Sequence, residues 1–100
     1  MKYYQIFEKF GLAKNEAIIY ETLLNEGESN VANISVKSKI HRRNVYDSLN
    51  RLIEKGLVFE ILQSRENIYK AVDPDKFSQM LAEKQKELDK IMPQLKNIYQ

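Results

Sequence analysis

His41, Arg42, Arg43 and Asn44 stand in a row, and Val45, Leu49, Leu52 and Ile53 follow at helical spacing. A helix on that spacing turns its aliphatic side chains to a core and presents Arg43, Asp47, Asn50, Arg51 and Glu54 on the other side. The chemistry available there is recognition. Arginine forks onto guanine O6 and N7 or onto phosphate, and asparagine pairs with the adenine edge, so this first turn suits a DNA major groove. Arg43 points most directly away from the core and is the candidate for base-edge contact, with Arg42 on phosphate. Asn44 suits adenine or phosphate. Tyr46 lies at the edge of the apolar face, where it either packs in the core or turns its hydroxyl to phosphate. His41 is expected to cap the helix or touch phosphate. Cations are unfavourable at the positive end of a helix dipole, so two arginines there point to an external anion. Further along, Arg65 is a candidate for phosphate or minor groove, with Asn30, Lys37 and Lys39 as weaker phosphate candidates. Asp47 is spaced to pair with Arg43 and Arg51 and is read as orienting them.

The distribution of charge favours the same stretch. The net charge is only +2, but residues 37–70 hold eight Lys or Arg against four Asp or Glu, and all four arginines fall within them. Residues 1–36 hold three against five, and residues 71–100 balance. Attraction to a polyanion is therefore centred in the middle of the chain. One hundred residues make one small domain with a modest core. Without cysteine there is no disulfide framework, and a single histidine leaves no metal site. The absence of a glycine-rich phosphate loop also argues against an enzyme, and no cofactor or small-molecule ligand is expected. No apolar run approaches the roughly 18 residues of a membrane span, and the first residues do not read as a signal peptide, so a cytoplasmic protein is expected.

The elements that position these residues follow from periodicity. Tyr3, Ile6, Phe7 and Phe10 predict a short amphipathic helix stopped by Gly11. A second helix is predicted over 14–25, burying Ala17, Ile18, Tyr20, Leu23 and Leu24. Its N-cap position, Ala13, cannot accept a hydrogen bond, at a cost of about 1 kcal/mol relative to serine. After a very short strand at Glu28 and Ser29, Asn30 caps a third helix through Lys37 or Ser38, with Val31, Ile34 and Val36 inward. Only Ser38 to His41 separate it from the helix over 41–55, which makes a helix-turn-helix ending at Gly56. The period then changes to two over residues 57–62 and again over 68–72, predicting a hairpin with a five-residue polar tip at 63–67. Asp73 and Pro74 open a last helix. Phe77, Lys84, Ile91 and Ile98 share one heptad position and Leu81, Leu88 and Leu95 the other, a seam suited to pairing two helices. Lys84 interrupts that seam, and Pro93 is expected to break or kink the helix near Ile91 or Met92.

Gly11 to Ala17, His41 to Val58 and Tyr69 to Pro74 resemble the N-terminal DNA-binding domain of the TrmB family of archaeal and bacterial transcriptional regulators. The resemblance covers residues 11–92. It implies a mainly α fold with a small β-hairpin: a winged helix-turn-helix over 1–73, then a C-terminal dimerisation helix over 74–100. It also implies a homodimer that binds double-stranded DNA, with the helix over 41–55 in the major groove and the wing over 63–67 on backbone or minor groove. Ala13 departs from the Ser or Thr often found at that cap, and the tip lacks the glycines common in relatives. Larger members carry a sugar-binding effector domain, and this chain ends before one could begin, so a stand-alone reader without sugar sensing is expected. A winged-helix protein-interaction module in a transcription or replication assembly is the alternative.

Overall fold

A computed structural model describes residues 2–63 and 65–100. In chain order it contains α1 (Tyr4–Glu8), α2 (Lys14–Glu26), α3 (Val31–Ser38), α4 (Arg42–Glu54), β1 (Val58–Gln63), β2 (Glu66–Ala71) and α5 (Asp75–Tyr99). This is the predicted mainly α fold with one hairpin.

The centre of the body is α2, which touches α1, α3, α4 and β2. Because it is covered from several sides, its buried arc is wider than one amphipathic stripe. Ala17, Ile19, Tyr20 and Leu23 are buried, whereas Ile18 is half-buried and Leu24 exposed, a shift from the predicted set. The same arc buries two carboxylates. The Glu16 carboxylate pairs with Lys55 Nζ, which also donates to the Gly11 carbonyl at 3.2 Å, and Glu21 accepts from the Tyr3 backbone N–H. As expected, Ala13 supplies no side-chain cap to α2.

An aromatic cluster fastens the two ends of the chain to α2. Phe77 of α5 stacks on Phe7 of α1 with ring centroids 5.0 Å apart, and both meet Tyr20 edge-on. Phe77 is only 7% exposed, so it belongs to its own chain's core and the free part of the heptad seam begins at Leu81. The Tyr20 hydroxyl donates to the Val72 carbonyl at 2.7 Å, and burial, with Asp73 nearby, pushes its pKa up to about 12. Folded and unfolded Tyr20 are both neutral below pH 10. Above it the unfolded residue ionises first, so stability should fall as pH rises from 10 to about 12. Denaturant midpoints followed through that window should fall less steeply in Y20F. At neutral pH the same variant should lose about 1 kcal/mol with the hydrogen bond.

Helix α4 docks through Val45, Leu49 and Leu52, all buried, while Ile53 lies at the edge of the face and is exposed. Burying each leucine contributes about 2 kcal/mol. The helix ends as its sequence predicts. Gly56 N–H donates to the Ile53 carbonyl and Leu57 N–H to the Leu52 carbonyl, with Gly56 at φ 75°, a conformation glycine adopts without strain. Val36, expected to face inward from α3, is exposed on the side of α3 away from Ile34.

The strands pair antiparallel from Val58 with Ala71 out to Gln63 with Glu66. Of the five residues expected in the polar tip, Gln63, Glu66 and Asn67 are taken into the ladder and Arg65 is not. Ser64 lies outside the described residues. The strand expected at Glu28 and Ser29 is a single bridge, with Ser29 N–H to the Tyr69 carbonyl at 3.0 Å and Tyr69 N–H to the Ser29 carbonyl at 2.8 Å.

The Asp73 carboxylate accepts from Asp75 N–H at 2.8 Å, so it caps α5, although the regular helix starts one residue beyond Pro74. Pro93 does not end α5, which is continuous to Tyr99. Proline removes one bond, to the Asp89 carbonyl, at a residue that is solvent-exposed. Past Met80 the helix leaves the body, and the molecule measures 60 × 25 × 23 Å. No described helix is long and apolar enough to cross a membrane.

Candidate nucleic-acid interface

The turn between α3 and α4 sets where the basic residues emerge. Lys39 adopts the left-handed conformation, φ 62°, which costs a non-glycine residue about 1 kcal/mol. Two serines hold it: Ser35 Oγ donates to the Ile40 carbonyl at 2.7 Å, and Ser38 Oγ accepts from Ile40 N–H at 3.2 Å. Ile40 is buried below the turn, leaving Lys39 and His41 exposed on either side of it.

His41 caps α4, as predicted. Its Nδ1 accepts from Arg43 N–H at 3.2 Å, so the ring proton sits on Nε2, a donor that remains for a partner. Arg42, Arg43 and Asn44 occupy the exposed first turn, which holds no acidic residue. The predicted pairing of Asp47 with Arg43 and Arg51 does not form. Among the described residues the one salt bridge is Lys55 with Glu16, and no arginine has a carboxylate oxygen within 4.0 Å. Among the described residues, four exposed guanidinium groups thus stand without a salt-bridge partner.

Two clefts of about 310 and 390 Å³ flank α4. In the first, Arg42 and Tyr46 face Arg65 and Asn67 of the hairpin and Asn30 of the α3 cap. Tyr46 is 49% exposed, neither core nor free surface. In the second, Asn44, Asp47 and Arg51 face Lys14 and Asn15 at the start of α2. The sequence did not single out Lys14, Asn15 or Asn67, which line these clefts, and suggested Arg51 only as a partner for Asp47. Their residue types were a signal, but nothing local joined positions about 30 apart.

Asn30 is placed differently from its phosphate assignment. Its Oδ1 accepts from Asn33 N–H at 2.8 Å, and its Nδ2 donates to both Glu66 carboxylate oxygens at 3.2 and 3.3 Å. Across the hairpin, exposed Glu60 accepts from the hydroxyl of buried Tyr69 at 3.0 Å and from Asn67 Nδ2 at 2.6 Å. Burial, then the bond to Glu60, raises the Tyr69 pKa, keeping that hydroxyl a donor.

A family model, described as sugar-specific transcriptional regulator TrmB, matches residues 7–75, from α1 to the first residue of α5. The chain belongs to the TrmB family. Within that family it is similar to the HTH-type sugar sensing transcriptional regulator TrmBL1 of Pyrococcus furiosus, 37% identical over 71 residues, which are 71% of this chain and 20% of that protein. The chain therefore spans about a fifth of that relative's length. Among solved structures it resembles TrmBL2, an archaeal chromatin protein described with a novel mode of DNA binding, at a TM-score of 0.75 and 23% identity over 94% of this chain and 36% of that one. It also resembles a possible transcriptional regulator from Methanosarcina mazei Go1, at 0.73 and 21% over 87% and 79%. At these identities the two structures speak for a shared winged-helix fold. The TrmB match places residues 7–75 in a family described as transcriptional regulators.

Proposed function

We propose that the chain acts as a sequence-specific DNA reader in which α4 enters the major groove. What carries this reading is the first turn of α4: exposed, basic, free of acidic residues and without a salt-bridge partner among the described residues. Arg43 contacts a guanine edge and Asn44 an adenine edge or a phosphate, while His41 and Lys39 meet the backbone beside the turn. The flanking clefts receive the two phosphodiester strands. Arg42, Tyr46 and Arg65 serve one, and Lys14, Asn15 and Arg51 serve the other. Asp47, left without an arginine, is free to accept from a cytosine amino group.

The reader works as a homodimer joined through residues 74–100. Leu81, Leu88, Ile91, Leu95 and Ile98 form one exposed apolar stripe along the free part of α5, an arrangement that isolated helices in water do not favour. Two chains paired on it would carry two α4 helices to paired half-sites.

Anisotropy titration against a duplex drawn from a random pool, at two salt concentrations, tests the DNA reading. Each phosphate contact should contribute about −0.9 to the slope of log K against log salt, so five contacts give a slope of about −4.5. An affinity indifferent to salt would favour a protein-interaction module instead.

A further inference from the structure

We propose that Asn30 is a positioning residue that latches the wing, setting where Arg65 stands relative to the first turn of α4. The inference rests on the DNA-binding reading for its consequence, but the latch itself is a property of the free chain. The Asn30 amide has only one workable orientation. Turned over, its oxygen would face the Glu66 carboxylate and its NH₂ would face the Asn33 N–H, so both contacts fix it at once. One side chain thus starts α3 and grips the first residue of β2, immediately after Arg65.

A second tie makes the grip geometric. The Ser29 bridge holds Tyr69, three residues along the same strand and so about 10 Å from Glu66. Ser29 is in turn braced by Asn33 Nδ2 at 3.1 Å. A two-stranded hairpin attached at one point can pivot about it. Attached at two points on one strand, it holds a defined angle to α3 and α4. The latch also keeps an exposed carboxylate, which phosphate would repel, turned toward an amide donor at the edge of the cleft that holds Arg42 and Arg65.

The donor and acceptor of this pair can be exchanged without changing net charge. In N30D, aspartate still caps α3 but opposes Glu66, and binding of the selected duplex should weaken about ten-fold. In N30D/E66Q, the new carboxylate accepts from the Gln side-chain amide, and affinity should return to within about two-fold of wild type. Should the double variant stay as weak as N30D, Asn30 meets DNA itself and the latch is wrong. Amide hydrogen exchange of the free protein at residues 65–67 gives a readout without DNA. N30D and N30S, both able to cap α3, should exchange faster there, and the swap should restore protection; unchanged exchange in N30D and N30S overturns the proposal. The exchange arm decides the latch even if wild type binds no duplex, a result that would instead remove the DNA reading.

Discussion

Replacing Arg42 and Arg43 together by alanine is expected to weaken binding to a selected duplex by about 3 kcal/mol, roughly a hundred-fold, while leaving the fold intact or slightly more stable. Both side chains are exposed at the start of α4 and neither has a salt-bridge partner among the described residues, so no ion pair is lost. Removing two cations from the positive end of the helix dipole relieves about 0.3–1 kcal/mol each. A variant that melts no lower than wild type yet binds far more weakly separates a reading role from a structural one. The single substitutions should differ in kind. Arg43→Ala should relax preference at one base position, whereas Arg42→Ala should weaken all sequences alike and reduce the salt slope by about 1. Anisotropy titrations with a selected and a scrambled duplex, beside thermal melts, make the comparison. If the double variant binds the selected duplex like wild type, α4 is not the reading element.

Placing a charge in the α5 stripe should have a comparably large effect by a different route. Leu88→Asp is expected to abolish the proposed pairing and leave a monomer, read by sedimentation equilibrium. Affinity for paired half-sites should drop about 100-fold through lost avidity, while affinity for a single half-site stays the same. The site suits the test because Leu88 is 43% exposed and every residue from 81 onward except Met92 is exposed, so the substitution leaves the body's core untouched. Lys84→Leu should act in the opposite direction, since a lysine on an apolar seam lowers the stability of pairing. If Leu88→Asp and wild type sediment alike, the stripe does not join two copies.

Much of this architecture can be read from short stretches of the chain. His41 as a cap, Asn30 as a cap, the glycine after α4 and the buried Val45, Leu49 and Leu52 depend on residues within four or five positions of one another, so the sequence alone determined them. The order of helices and hairpin follows from the same local periodicities, and the basic first turn is visible as four consecutive residues. Tertiary structure decided what lies across the fold. Phe77 has heptad spacing yet stacks on Phe7, because an aromatic surface left open between α1 and α2 accepts it. Asn30 meets Glu66 across 36 residues, the two clefts join α4 to the wing and to the start of α2, and Tyr20 reaches Val72 across 52. Hydrogen bonds and shape at such separations depend on how the elements dock, and the spacing of residues within one element does not encode docking. The stretch over 41–44 therefore singled out the turn proposed to read DNA, while only the folded chain decided which side chains stand beside it and what holds them there.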